Sequence, residues 1–199
     1  AYATAYSNDK WVITGSISPE IQYSTDGISG WTAANYPADF TNVYALASGD
    51  GGFVALSGDA DKSTKACYSL AGASPGINWT TAAFSPDSLR TLRWSGACYA
   101  KVAGNPTFVA VGEGAGGNPG IARSTNNGRT WVNPLSSPGP KSYKAVTYGG
   151  GKFVATTGYD NTFDLAAKFI FLDFANFVRF VLSNVYLKDD VFGTCFQQS

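Results

Sequence analysis

No histidine and no methionine occur in the 199 residues, and cysteine appears only three times. Without imidazole, Ser-His-Asp and Cys-His catalysis and histidine metal sites are excluded. Lacking methionine, the chain carries no initiator residue, and no basic, leucine-rich leader opens it; a processed protein or a piece of a longer one is expected. Cys67, Cys98 and Cys195 are too few and too widely spaced for a zinc site or a dense disulfide framework. At most one bridge is expected, with Cys67 and Cys98 the pair to test against free buried thiols. Charge is also scarce, at 14% of residues, and fourteen basic side chains cancel fourteen acidic ones. Such a chain lacks the footprint that a phosphate backbone or an anionic membrane selects, so nucleic acid is not an expected partner. No cofactor, metal ligand or catalytic residue is assigned.

Glycine and aromatics are abundant instead: 23 Gly, 11 Tyr and 13 Phe, with 44% of residues hydrophobic. That composition favours many short strands and tight turns around a sizeable core, so the fold class expected is all-β. One phrase recurs four times: Trp11 to Gly15, Phe53 to Gly58, Phe108 to Gly112 and Phe153 to Gly158, with opening aromatics 42, 55 and 45 residues apart. Each reads as a buried strand that ends at glycine. Before each lies another apolar segment, at 3–7, 42–47, 89–94 and 143–148, expected as an innermost strand.

A second phrase follows three of the four. It reads Tyr23-Ser24-Thr-Asp26-Gly-Ile-Ser-Gly-Trp31 in the first copy and Arg123-Ser124-Thr-Asn126-Asn-Gly128-Arg-Thr-Trp131 in the third. The second copy keeps Ser69 and Trp79 but has three extra residues and no Asp. A short Asp or Asn side chain accepts hydrogen bonds from turn amides downstream, glycine supplies a positive φ, and tryptophan closes the hairpin. The pattern resembles the Asp box, or bacterial neuraminidase repeat, of sialidase-like β-propellers. The resemblance implies four-stranded antiparallel blades, about three and a half of them, with the Asp-box residues in a structural role between third and fourth strands. It covers residues 1–158 as blades at 1–33, 41–82 and 89–132 and the start of a fourth, joined by proline-containing crossing loops. That is too few to close a ring of four to eight blades, so self-association or another chain is expected to complete it.

Residues 159–199 form a separate, atypical segment. Polar residues from Asp164 to Lys188 recur at spacings that fit an amphipathic helix of about 25 residues. The dense Phe and Val of 168–174, 177–182 and 185–187 fit strands of a degenerate last blade as well. Asp173 and Arg179 would lie near a bilayer centre, so no membrane span is expected.

Catalytic members of the sialidase family clamp a carboxylate with three arginines and use a Tyr/Glu pair with an Asp acid/base. Here Arg90, Arg93 and Arg123 remain once Arg129 of the hairpin and Arg179 of the tail are set aside, and a convergent triad is not expected. The two glutamates, Glu20 and Glu113, fall in loops after second strands. Pure binding asks for less: Tyr36, Asp39, Phe84, Asp87 and Glu113, on loops of one face, offer aromatic platforms and carboxylates suited to sugar hydroxyls. The function expected is a non-enzymatic extracellular or virion-surface propeller for glycan recognition or scaffolding. A sialidase-like glycoside hydrolase and a structural subunit of a filament or phage tail are the alternatives.

Overall fold

A computed structural model of the chain describes residues 1–59, 63, 65–72, 74–114, 120–133, 142–157 and 169–172. These residues are all-β, with no α-helix among them and hence no helix long and apolar enough to cross a membrane. The first sheet comprises β1 (Ala3–Ser7), β2 (Lys10–Thr14), β3 (Ile21–Ser24) and β4 (Thr32–Ala33), and the second comprises β5 (Val43–Gly49), β6 (Gly52–Ser57), β7 (Ala66–Ser69) and β8 (Thr80–Thr81). After β9 (Ala83–Ser85) and a 3₁₀ turn, the third sheet follows as β10 (Trp94–Val102), β11 (Asn105–Gly112), β12 (Ile121–Ser124) and β13 (Thr130–Val132). The fourth contains β14 (Tyr143–Gly149), β15 (Lys152–Thr157) and β16 (Phe169–Leu172). Each sheet is antiparallel in chain order, except that β9 adds to the outside of β13 in parallel.

The first hairpin of every sheet has the same cause. Asn8-Asp9, Asp50-Gly51, Ala103-Gly104 and Gly150-Gly151 all hold positive φ at both positions. Two such residues make the type I′ turn, whose twist matches that of paired strands. The sheets then stack in order through their first strands, β1 against β5, β5 against β10 and β10 against β14. Three cores lie in the joints. Val12 and Ile21 of the first sheet meet Phe53, Ala55, Cys67 and Trp79 of the second. On its other side the second sheet sets Val54, Leu56 and Ala66 against Phe108, Ala110, Ala122 and Trp131 of the third. Val109, Val111 and Ile121 in turn meet Phe153 and Ala155 of the fourth. Strand alternation explains this: the opening aromatic of each second strand faces the preceding sheet and the valine after it faces the next. Each buried Phe or Val contributes about 1.5–3 kcal/mol.

Two expectations are corrected. The innermost strand of the third sheet is Trp94–Val102, while Asp87–Thr91 forms the 3₁₀ turn. Leu89 and Leu92, both buried, are three apart and so share one side of a three-residue turn; the sequence had suggested a strand. In the tail, Phe169–Leu172 is a strand paired with β15, so the helix expected from Asp164 does not run through these four residues, and of the three expected strand pieces only 168–174 is reached by the described residues. The rest of 159–199, Cys195 included, lies outside the described residues. Cys67 and Cys98 are free, because they face different joints, Cys67 the first and Cys98 the third. Burial pushes both thiols up, with Asp39 adding to the effect at Cys67.

Candidate functional site

A common rung crosses the sheets. Tyr6, Trp11 and Ser24 are aligned in the first, Ser48, Phe53 and Ser69 in the second, and Tyr99, Phe108 and Ser124 in the third. On the fourth strand the register is shared too, for Tyr23 pairs with Thr32, Tyr68 with Thr80 and Arg123 with Val132. Trp31, Trp79 and Trp131 therefore stand opposite the three serines. In the fourth sheet Phe153 pairs with Leu172, so the serine position holds a residue with no hydroxyl.

The hydroxyl organises each hairpin. Ser24 Oγ lies 2.8 Å from Asp26 Oδ1 and 2.7 Å from the Ser29 carbonyl, which share its hydrogen, and it accepts from the amides of Asp26 and Gly27. Asp26 Oδ1 accepts from the amides of Ile28 and Ser29, both at 2.9 Å, and Oδ2 accepts from the Ser29 hydroxyl at 2.7 Å. In the third copy Ser124 donates to Asn126 Oδ1 at 2.9 Å and accepts from Gly128, and Asn126 Oδ1 accepts from the Thr130 amide at 3.0 Å. The second copy reaches the same end differently: Gly76 N–H donates to Ser69 Oγ at 2.7 Å, and Trp79 Nε1 donates to the Gly76 carbonyl at 2.9 Å.

The Ser29 amide, the Ser29 hydroxyl and the Ile28 amide hold the Asp26 carboxyl far below the usual carboxylate range. A depressed folded-state pKa means that the contribution is complete above the unfolded value, about 4, and is lost as pH falls toward the folded one. Thermal melts of Asp26→Asn are expected to stay near wild type at pH 7 and to depend less on acid, since an amide oxygen can accept the Ile28 and Ser29 amides as Asn126 Oδ1 accepts the Thr130 amide. Asp26→Ala is expected to melt lower at pH 7.

Opposite this hairpin end is the end where the first strands begin. A β-bulge interrupts the first-strand pairing at the same register in three sheets, at Tyr44, Ser95 and Lys144. Bulges re-aim side chains, and here they bring different sheets together. Tyr44 stacks on Tyr2 of the first sheet with ring centroids 4.2 Å apart and planes 12° from parallel. Both remain exposed, at 40% and 47%. A hydrogen bond to Tyr2 raises the Tyr44 hydroxyl pKa, while those of Tyr2 with Ser16 and Tyr44 lower its own. Glu113 sits between Arg93 Nε and Lys144 Nζ, each 3.9 Å away, and the Arg93 charge reaches Tyr44. Gly58 makes room for the Tyr44 ring, which an added Cβ would strike.

Of the residues expected to bind, Glu113 alone belongs to this row. Phe84 is core, not platform: it is buried, stacked on Trp94 at 5.9 Å and paired with Trp131 across β9 and β13. Tyr36 is half-buried against the first joint, its hydroxyl accepting from the Glu20 amide at 2.7 Å. Asp39 accepts from the Ser63 hydroxyl, and Asp87 pairs with Arg90 at 3.3 Å in the 3₁₀ turn. Glu20 is buried, not a solvated loop residue, and burial raises its pKa against the Asn42 amide. Arg93 lies at the mouth of β10, Arg90 in the 3₁₀ turn and Arg123 inside β12. Tyr2, Tyr44 and Lys144 escaped the sequence reading because they open strands, where a bulge leaves no compositional mark. Among the described residues no three His, Cys, Asp or Glu gather as a metal site. No protein-family model and no curated protein matches the chain.

Proposed function

We propose that the chain is a run of Asp-box propeller units and that its bulged end presents a non-enzymatic glycan-recognition surface on an extracellular or virion-borne protein. The observation that carries the glycan reading is the exposed stack of Tyr2 on Tyr44, beside the Arg93, Glu113 and Lys144 charges. Exposed aromatic rings cover the apolar faces of sugars, and adjacent charged donors and acceptors meet their hydroxyls. The repeat reading is supported by the serine, aromatic and tryptophan rung that recurs through three sheets. Arg93 pairs with Glu113 in the row, whereas Arg90 and Arg123 belong to other elements, an arrangement that favours binding over the three-arginine clamp of hydrolytic sialidases.

A glycan array probed with the chain and with Tyr44→Ala tests this. Wild type is expected to retain a defined subset of glycans, and the variant to bind that subset about tenfold or more weakly, as loss of a central aromatic contact does. Binding that Tyr44→Ala leaves unchanged would move the surface elsewhere. Steady release of sialic acid from a sialoside by wild type would replace the binding reading with the hydrolase one.

A further inference from the structure

The two ends of the stacked row are complementary to each other. In every joint the opening aromatic of one sheet, Phe53, Phe108 or Phe153, is buried to within 1% by the valine face of the sheet before it, which carries Val12, Val54 or Val109. Among the described residues no sheet packs on the outer face of the first. At the equivalent register its Trp11 stays 38% exposed and Tyr6 49%, although their rings already pair at 4.9 Å much as Tyr99 with Phe108 and Tyr148 with Phe153 do at 4.8 Å. Among the described residues no further sheet packs on the far face of the fourth, where Val154 and Thr156 are half-exposed and Ala145 and Thr147 exposed. Val154 holds the register of Val12, Val54 and Val109, and Thr156 that of Thr14, which is buried in the first joint at 2%. The hairpin glycines repeat the relation: Gly76 of the second sheet lies against Val12 and Gly128 of the third against Val54, while Gly27 of the first lies against its own Trp11.

We propose that the open valine face of the fourth sheet in one copy packs on the open aromatic face of the first sheet in a second copy. This continues the joint already made three times within the chain. It rests on the repeat reading above, and commits its last step to a second copy of this chain. Such a contact is head-to-tail, and two of them around a twofold axis close a ring of eight sheets, inside the usual range of four to eight.

The full chain is weighed by light scattering from about 1 to 100 μM, with near-ultraviolet circular dichroism as the check on folding. A two-copy mass is expected. Tyr6→Arg and Val154→Asp should each give folded monomers, and an equimolar mixture of the two should recover a heterodimer, since each supplies the face the other has lost. Ile17→Asp, in a loop on neither face and 83% exposed, should remain two-copy. A folded wild-type monomer at 100 μM overturns the proposal, as does a dimer that survives either variant or a mixture that stays monomeric. A wild-type monomer in which Trp131→Ala still behaves as a core deletion would locate the failure in the joint between copies and leave the repeat reading intact. Glycan binding by that monomer would leave the recognition surface intact as well.

Discussion

Replacing Trp131 with alanine is expected to lower the unfolding free energy by about 3–5 kcal/mol, the range for deleting a large buried aromatic. Trp131 is fully buried in the joint between second and third sheets, with Val54, Leu56 and Phe108 in the same cluster. Its strand is also clamped from outside by β9, where Trp131 pairs with Phe84. The cavity left by alanine therefore opens under two strands and against a neighbouring sheet, where collapse is hindered from both sides. Trp79 fills the corresponding place in the first joint, 6.3 Å from Phe53, and its truncation should cost nearly as much. Trp31 shares their register but is half-buried and in none of the cores. In the monomeric Val154→Asp background, where no second copy covers the first sheet, denaturant midpoints should therefore fall in the order Trp131→Ala, Trp79→Ala, Trp31→Ala, with the last closest to that background. Equal losses at all three would mean that Trp31 is covered in solution by something that supplies the missing preceding sheet.

That graded set shows how far the sequence was readable. The aromatic-to-glycine phrase and the Ser to Trp phrase mark second, third and fourth strands correctly, because each carries both an alternation and a turn residue whose conformation is forced. The first-strand hairpins were equally readable in principle from Asp50-Gly51 and Gly150-Gly151, turn pairs whose positive φ needs no tertiary context. What failed depended on context. Leu89 and Leu92 look like strand residues until Pro86 and Asp87 start a turn, and Phe84 looks like a loop aromatic until β9 lies against β13. Composition cannot separate such a crossing segment from a surface loop, since both are short, proline-flanked and mixed in polarity. The row proposed for recognition was the least readable part. Tyr2, Tyr44, Arg93 and Lys144 are spread over 143 positions and meet only because the same bulge recurs where the first strands converge. Glu113 was found for the weaker reason that it follows a second strand.

Gly128→Ala should be strongly destabilising, because it combines a backbone cost with a clash between sheets. Gly128 has φ +79°, a left-handed conformation, which alanine adopts at a cost of about 1–2 kcal/mol. An added Cβ would also strike Val54 Cγ1 and crowd Tyr68 Cβ, 3.2 Å away. Overpacking of this kind costs a further 1–3 kcal/mol, roughly. The two effects need not simply add, because the hairpin can relieve the clash by rotating away from the second sheet. That rotation would stretch the 3.0 Å bond from Gly128 N–H to Ser124 Oγ, so relief in the joint is drawn from the hairpin. Gly30 is the informative comparison: it too has positive φ, +61°, but a methyl group added there would meet nothing within 4 Å. Gly30→Ala should therefore show the backbone cost alone. The difference between the two denaturant midpoints measures how tightly successive sheets are pressed together. A Gly128→Ala loss no larger than that of Gly30→Ala would mean that the hairpin does not bear on the neighbouring sheet, and the stacked arrangement of second and third sheets would have to be abandoned.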